Sequence, residues 1–160
     1  FDSPDFTIAS IVVPGPRDDE AFDEFRQRHA DRLGIMGATL CRGGATHRWE
    51  SVREALAHAP EDCELIAVHD AARPCVSPDL IERVLHAAAR FAAAVPALDA
   101  SDTVKRTHEE QVSAEPRDRA AAILGLETPA TRRQRFVRET VDRRGLVLVQ
   151  TPQVFTSAVL

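Results

Sequence analysis

The first hundred residues alternate between two patterns of hydrophobic and polar positions. Short runs of β-branched and other apolar residues, typical of buried strands, alternate with stretches whose apolar residues recur every three or four positions, typical of helices. The predicted strands are 7–13, 38–41, 65–68 and 91–98. The predicted helices between them are 18–33, 49–59 and a third that begins at Ser77 and Pro78. This β-α-β-α-β-α-β order predicts an α/β fold with a mostly parallel sheet and helices on both faces.

Two of the predicted helices carry an apolar stripe that is expected to face the sheet. The stripe of the second helix consists of Trp49, Val52, Leu56 and Ala59. The buried face of the third helix consists of Leu80, Ile81, Val84, Leu85 and Ala88. These side chains are therefore the predicted contacts between helices and sheet.

The rhythm changes after the first hundred residues. A strand-like segment at 102–106 is followed by a long polar and arginine-rich stretch, and a second strand-like segment returns at 145–150. We interpret residues 101–150 as an arm, a long hairpin belonging to a single domain that spans 1–160. A polar hairpin buries too little surface to be stable alone, so it is expected to pack on a partner subunit or a substrate. The alternative for residues 107–138 is a mobile surface insertion.

Composition is that of an ordinary globular protein. The 160 residues suffice for one domain, no apolar stretch is long enough to span a bilayer, and no signal-peptide pattern is present. The cysteines Cys41, Cys63 and Cys75 form no C-x-x-C pair, so neither a disulfide framework nor a zinc site is predicted. With a net charge of −5, no tyrosine and no aromatic-rich basic stripe, the chain is not expected to bind nucleic acid. These features favour a soluble protein of the cytoplasm.

The segment richest in candidate chemistry is Val68-His69-Asp70-Ala71-Ala72-Arg73-Pro74, in which an acid follows a buried strand. Ligand sites of open α/β sheets lie at the carboxyl ends of the strands, so Asp70 is a candidate site residue. Arg73 could orient the Asp70 carboxylate or meet an anion. The alternative is a structural Asp-Arg pair. His69 is expected only to pack or to form a hydrogen bond beside Asp70.

A second candidate is the glycine pair Gly43-Gly44, which lies between a predicted strand and a predicted helix. Glycines at such a position let the backbone approach a ligand closely, and Arg48 and Ser51 on the following helix offer a charge and a hydroxyl. The alternative is a plain turn with a solvated arginine and a surface serine. The glycine pair alone does not decide between the two.

Taken together, these segments resemble one enzyme family in order and spacing. The matching motifs are Gly43-Gly44 followed by Arg48-x-x-Ser51-Val52, then Val68-His69-Asp70-Ala71-Ala72-Arg73-Pro74, Asp102-Thr103-Val104-Lys105, Thr140-Val141-Asp142-Arg143-x-Gly145-Leu146 and Thr151-Pro152-Gln153. They are similar to the motifs of 2-C-methyl-D-erythritol 4-phosphate cytidylyltransferase and cover most of the chain. The resemblance implies a Rossmann-like nucleotidyltransferase sheet with a protruding β-arm.

The reaction that this resemblance implies is transfer of the cytidylyl group from CTP to 2-C-methyl-D-erythritol 4-phosphate, with release of pyrophosphate, in non-mevalonate isoprenoid biosynthesis. By resemblance, Asp70 would hold Mg²⁺ on the triphosphate, with Arg73 supporting it. The residues implied to bind the substrates are Gly43, Gly44 and Ser51 for CTP and Thr103, Arg143 and Thr151 for the sugar-alcohol phosphate. Arg143 would present its guanidinium to that phosphate, so Asp70, Arg73 and Arg143 are the expected catalytic residues.

The resemblance also implies a homodimer, because in the family the arm crosses to a second subunit and completes its active site. Family members begin with a glycine-rich loop that carries an arginine and a lysine and grips the triphosphate. They end with further helices and a late lysine. Neither end has a counterpart here, and one extra residue lies between Gly44 and Arg48. The chain is therefore expected to be a fragment that is inactive alone.

Two alternatives remain open at this stage. A related pentitol-phosphate cytidylyltransferase shares the fold and the glycine pair, although Ala72 argues against it. A non-catalytic dimerisation or nucleotide-binding module would retain the arm without the phosphate-gripping loop.

Overall fold

The computed structural model describes residue 3 and residues 5–113 and 131–160. The chain divides into two compact units. The first unit comprises Phe1–Pro96 together with Val149–Leu160, and the second comprises Ala97–Leu148. Within the described part of the chain, no helix is long and apolar enough to cross a membrane.

The first unit begins with a parallel β-α-β arrangement. Strand β1 (Ile11–Gly15) pairs in parallel with β2 (Ala38–Arg42), and α1 (Asp19–Ile35) connects the two strands and packs on them. Helix α1 starts where the Asp18 carboxylate accepts a hydrogen bond of 3.0 Å from a backbone N–H of the first turn. Helix α2 (Arg48–Leu56) packs on β1 and β2.

The main hydrophobic core lies where α3 (Pro78–Phe91) covers an antiparallel sheet. Strand β9 (Gln153–Thr156) is central in this sheet, between β3 (Leu65–Val68) and β4 (Ala93–Ala94). The buried side chains of the core are Ile81, Val84, Leu85, Ala88 and Val154. The first four lie on α3, and the predicted buried face of this helix is therefore confirmed for them. The fifth predicted residue, Leu80, is partly buried against the core.

The α/β order of the first unit follows the prediction, but the strand directions follow it only in part. Parallel pairing joins β1 and β2, whereas β3 and β4 both pair antiparallel with β9. Strand β9 follows the second unit in sequence and runs opposite to both of its neighbours. A run of apolar residues indicates that a strand is buried, but it does not indicate whether the strand pairs parallel or antiparallel with its neighbours.

The predicted strand at 91–98 is only half confirmed, because two short strands, at 93–94 and from 97 onward, stand in place of one continuous strand. Helix α3 continues to Phe91, Ala92 adopts a left-handed conformation with φ of 67°, and the strand that follows has two residues. Alanine is the strongest helix former, so the alanines at 87–89 carry α3 further than the apolar pattern suggests. Pro96 then interrupts the pairing, because proline has no N–H to donate to a strand ladder.

The predicted contact of Trp49 with the sheet is also wrong. The Trp49 side chain is 58% exposed, stacks on the ring of His47 at 6.5 Å between centroids, and lies under the Arg53 guanidinium at 5.4 Å. Val52 and Leu56 are half-buried as expected. Trp49 lies in the first turn of a nine-residue helix that covers only two strands, so its ring packs on neighbouring side chains instead.

The second unit consists of two strand pairs. Strand β5 (Ala97–Asp99) pairs with β8 (Val147–Val149), and β6 (Lys105–Ser113) pairs antiparallel with β7 (Thr131–Thr140). Two arginine–glutamate ion pairs, with N–O distances of 2.5 and 3.1 Å, join the long strands across the ladder. Residues 114–130, the remainder of the predicted arm, lie outside the described residues.

Candidate functional site

Asp70 lies just beyond β3, and its backbone is fixed by neighbours from the same unit. The Asp70 N–H donates a hydrogen bond to Thr151 Oγ1 at 3.2 Å, and the Asp70 carbonyl accepts one from the Arg73 N–H at 2.9 Å. Thr151 itself is buried and precedes β9, the central strand beside β3. The structure therefore brings together Asp70 and Thr151, which are 81 residues apart in sequence.

His69 closes the turn that contains Asp70. Its Nε2 atom lies 3.0 Å from the Arg73 carbonyl oxygen, which can only accept, so Nε2 is the donor. The expectation that His69 forms a hydrogen bond beside Asp70 is confirmed. This contact and the Arg73 N–H bond both tie the two ends of the turn together, so the backbone around Asp70 is held on both sides.

The Asp70 carboxylate faces two guanidinium groups. The Arg48 Nε and Nη2 atoms lie 2.9 and 2.8 Å from Asp70 Oδ1, whereas the Arg73 Nε atom lies 3.6 Å from Oδ2. The Asp70 side chain is 34% exposed. Both arginines thus neutralise a carboxylate that solvent and a ligand can still reach.

The sequence analysis named Arg48 as a candidate site residue but did not predict that it pairs with Asp70. The sequence placed Arg48 in the helix after the glycine pair and left open whether it was solvated. The available signal was topological, because the segments that follow β2 and β3 both lie at the carboxyl ends of strands, where sites of α/β proteins assemble. No spacing rule connects residues 48 and 70, so the ion pair itself was not predictable.

The glycine pair follows β2 and packs closely between β1 and α2. Gly43 N–H donates to the Gly15 carbonyl oxygen at 2.9 Å, and Gly44 N–H donates to Ser51 Oγ at 2.9 Å. A Cβ atom on Gly43 would lie 2.4 Å from that carbonyl oxygen. A Cβ atom on Gly44 would lie 2.2 Å from the Cβ atom of Glu50. Both positions therefore exclude any side chain, and Ser51 keeps its hydroxyl hydrogen free to donate elsewhere.

Gly44→Ala is expected to destabilise the protein by about 2 kcal/mol, because the clash involves the backbone of α2 and not a flexible side-chain end. Urea unfolding followed by circular dichroism measures this loss. The control is Gly34→Ala in α1, where an added Cβ meets nothing within 4 Å and alanine favours the helix. Equal stability of the two variants would contradict the assignment of Gly44 as a close-approach position.

The start of α2 is fixed by Glu50. Its Oε2 atom accepts hydrogen bonds from the backbone N–H groups of Thr46 at 2.9 Å and His47 at 3.4 Å. These bonds hold the pKa of the Glu50 carboxyl below its ordinary value of 4.5. Glu50 therefore fixes the first turn of α2, which carries both Arg48 and Ser51.

Glu50→Gln is expected to flatten the acid dependence of stability. A carboxyl whose folded-state pKa is lowered stabilises the fold above its ordinary pKa, and this contribution is lost as the pH falls through the folded-state pKa. The free energy of unfolding of the unsubstituted protein should therefore drop more steeply below pH 4.5 than that of the variant. Urea titrations at a series of pH values measure both slopes. Glu20→Gln, in the first turn of α1, serves as control, and parallel slopes for all three proteins would refute the role of Glu50.

Two further predicted site residues, Thr103 and Arg143, belong to the second unit. Arg143 Nη1 donates a hydrogen bond to the Ser101 carbonyl oxygen, and both Thr103 and Arg143 are exposed. The adjacent Arg144 is paired instead with Asp142, and this pairing lowers the pKa of the Asp142 carboxyl. Arg143 and Arg144 are thus neighbours with different partners.

The described residues contain no group of three or more histidine, cysteine, aspartate or glutamate side chains arranged to hold a metal ion. A divalent cation at Asp70 would therefore need most of its oxygen ligands from a bound molecule or from water. Mg²⁺ is commonly held in this way, by one or two carboxylates together with substrate phosphates. The single hard carboxylate of Asp70 fits that mode of binding.

Solved structures similar to this chain include that of 2-C-methyl-D-erythritol 4-phosphate cytidylyltransferase from Thermus thermophilus. It is 37% identical, with a TM-score of 0.52, over 77% of this chain and 47% of that one. A structure of 4-diphosphocytidyl-2C-methyl-D-erythritol synthase is 26% identical, with a TM-score of 0.59, over 96% of this chain and 60% of that one.

Curated relatives point the same way. A bifunctional enzyme IspD/IspF of Anaeromyxobacter sp. (strain Fw109-5) is 39% identical over 94% of this chain and 31% of its own length. The 2-C-methyl-D-erythritol 4-phosphate cytidylyltransferase of Laribacter hongkongensis is 36% identical over 96% of this chain and 55% of its own length. The chain spans about half or less of the curated relatives that it matches.

A family model gives the most direct assignment. The model for IspD, 2-C-methyl-D-erythritol 4-phosphate cytidylyltransferase, matches residues 5–134, which include the glycine pair, Asp70 and Thr103. The match covers well over half of the chain, and the relatives above agree with it. The chain therefore belongs to the 2-C-methyl-D-erythritol 4-phosphate cytidylyltransferase family.

Proposed function

We propose that the protein transfers the cytidylyl group of CTP to 2-C-methyl-D-erythritol 4-phosphate. The products are 4-diphosphocytidyl-2-C-methyl-D-erythritol and pyrophosphate, and the reaction is a step of non-mevalonate isoprenoid biosynthesis. The observation that carries the proposal is the Asp70 carboxylate, held just beyond β3 between two guanidinium groups in a chain of this family.

The reaction requires charge neutralisation and alignment more than covalent chemistry. An oxygen of the acceptor phosphate attacks the α-phosphorus of CTP and forms the new P–O bond. The bond from that phosphorus to the oxygen bridging the β-phosphate breaks, and its electron pair leaves with pyrophosphate. Two anionic groups must meet in line, so positive side chains and a fixed geometry carry most of the catalysis.

Asp70 would hold Mg²⁺ in the working enzyme, and the cation would supply neutralisation of the triphosphate charge. Arg73 supports this carboxylate from the Oδ2 side. The Thr151 Oγ1 bond keeps Asp70 in place against β9 while its carboxylate is engaged.

The glycine pair and Ser51 bind the cytidine end of CTP in this proposal. Without side chains, Gly43 and Gly44 let their backbone lie against the Gly15 carbonyl and α2, which fixes the position of Ser51 beside them. The Ser51 hydroxyl accepts from Gly44 N–H and can donate its own hydrogen to a carbonyl of the base.

In the proposed dimer, the acceptor is bound by Thr151 of one subunit together with Thr103 and Arg143, which the arm of the other subunit supplies. Arg143 presents an exposed guanidinium, which is suited to a bidentate contact with a phosphate monoester. The Thr151 oxygen accepts from the Asp70 N–H, so its hydroxyl hydrogen remains available for the acceptor.

We further propose a homodimer through a protruding arm at 101–150, in which β6 and β7 pack on a second subunit. Strand β7 carries four arginines and one glutamate, whereas the whole chain has a net charge of −5, so the arm is complementary in charge to the remainder of another copy. A two-stranded ladder is marginal without such a partner.

We also propose that the sheets of the first unit are parts of one mostly parallel, Rossmann-like sheet with helices on both faces. The parallel pairing of β1 and β2 and the fold similarity to the synthase structure, with a TM-score of 0.59, support this proposal. A cytoplasmic location is supported by the three cysteines, all of which are free thiols.

Pyrophosphate release by the natural protein tests the proposal and the choice of acceptor. With CTP and Mg²⁺, we expect turnover on 2-C-methyl-D-erythritol 4-phosphate and little on ribitol 5-phosphate. Preference for ribitol 5-phosphate would assign the protein to the pentitol-phosphate enzymes. Absence of turnover on both acceptors would favour a non-catalytic module.

A further inference from the structure

The two arginines beside Asp70 are not equivalent. Arg48 places two nitrogen atoms on Oδ1, at 2.9 and 2.8 Å, which is the distance of charge-assisted hydrogen bonds. Arg73 approaches Oδ2 only to 3.6 Å, outside strong hydrogen-bond range. The Asp70 charge is therefore paired chiefly with Arg48.

Arg48 is not needed to position the Asp70 backbone. The Thr151 hydroxyl, the Arg73 N–H and the β3–β9 ladder already fix that segment. Among the described residues, the Arg48 side chain has Asp70 as its single hydrogen-bond and ion-pair partner, and it is half exposed. It can leave Asp70 without breaking another contact of the fold.

The position of Arg48 at the start of α2 is also electrostatically unfavourable for its positive charge. Arg48 is the first residue of α2, and the N-terminus of a helix carries a partial positive charge that disfavours a nearby cation. The attraction of Asp70 offsets this repulsion. An anion with more charge than one carboxylate, such as a triphosphate, would be a stronger partner for the same guanidinium.

We propose that Arg48 is an exchangeable counter-cation of Asp70. Without nucleotide it occupies Oδ1 and weakens the binding of a free divalent cation; when a nucleoside triphosphate binds, the guanidinium passes to a phosphate oxygen and frees the carboxylate. The inference rests on the proposed function, because it assumes that Asp70 is the metal-binding carboxylate. Its consequence is that the cation enters together with the nucleotide and not before it.

The test is a titration of the nucleotide-free natural protein with Mn²⁺, with free Mn²⁺ measured by electron paramagnetic resonance. Arg48→Gln is expected to tighten Mn²⁺ binding by about tenfold, the effect of removing one positive charge close to a divalent ion under aqueous screening. Arg48→Lys keeps the charge and should not tighten binding. Arg53→Gln, on the same helix but paired with Glu54, is the matched control and should behave as the unsubstituted protein.

A second pair of measurements separates this inference from the proposed function. In Arg48→Gln combined with Asp70→Asn, the tightening should disappear, because the freed carboxylate is absent. Unchanged Mn²⁺ affinity in Arg48→Gln, or tightening that survives Asp70→Asn, would overturn the exchange. If instead Asp70→Asn leaves Mn²⁺ binding in the presence of CTP unaltered, the metal role of Asp70 itself is wrong.

Discussion

Asp70→Asn is expected to lower kcat by at least about 1,000-fold, the scale of losing a group that neutralises charge in the transition state. The asparagine side chain has the same shape, but it has no charge to hold a divalent cation or to balance Arg48. The fold should survive, because the bonds that fix this segment come from the backbone and from Thr151. Initial rates at saturating CTP and acceptor measure the effect, and circular dichroism checks the fold.

The matched control is Asp62→Asn, an exposed aspartate in the turn before β3. It makes the same chemical change a few residues away and should leave kcat within about twofold, as surface substitutions commonly do. A folded Asp70→Asn protein with more than about a tenth of the normal kcat would remove Asp70 from the catalytic machinery.

Arg143→Ala is expected to raise KM for the acceptor by a factor between about 10 and 100, the range for losing hydrogen bonds to a charged group. KM for CTP should stay nearly constant, because the proposed contact is with the acceptor phosphate. Steady-state kinetics with each substrate varied in turn separates the two constants.

Arg144→Ala is the control for this prediction. It removes the same type of side chain from the adjacent position, but Arg144 is paired with Asp142 and has no proposed contact with substrate. The acceptor KM should be unaffected in this variant. An equal rise in both variants would indicate a general effect of positive charge in this turn and would contradict a specific role for Arg143.

The sequence contains the strongest information where local chemistry and periodicity agree. Ser77 and Pro78 mark the start of α3, and the apolar face of that helix contains four of the five buried core residues. The sequence also indicates that Asp70 lies two residues beyond an apolar strand, since the change from apolar to polar residues is abrupt there. These features depend on contacts within a few residues.

Features that depend on distant contacts were not readable. The Arg48–Asp70 pair and the Thr151–Asp70 bond join elements that are far apart in sequence, and no periodicity refers to them. The antiparallel pairing of β9 with β3 likewise joins segments that are far apart in sequence. The segment 91–98, predicted as one strand, shows that alanine-rich sequences fit both a helix and a strand. Helix propensity extends α3 to Phe91, and Pro96 separates the two short strands that follow.

The most direct test of the central claim is ³¹P nuclear magnetic resonance of the natural protein with CTP, 2-C-methyl-D-erythritol 4-phosphate and Mg²⁺. We predict that the triphosphate signals of CTP and the phosphomonoester signal of the acceptor decline together. They should be replaced by equal amounts of a diphosphate diester and pyrophosphate, and Asp70→Asn should show no change over the same time. Formation of CMP with an unchanged acceptor signal, or an unaltered spectrum with the unsubstituted protein, would contradict cytidylyl transfer by this site.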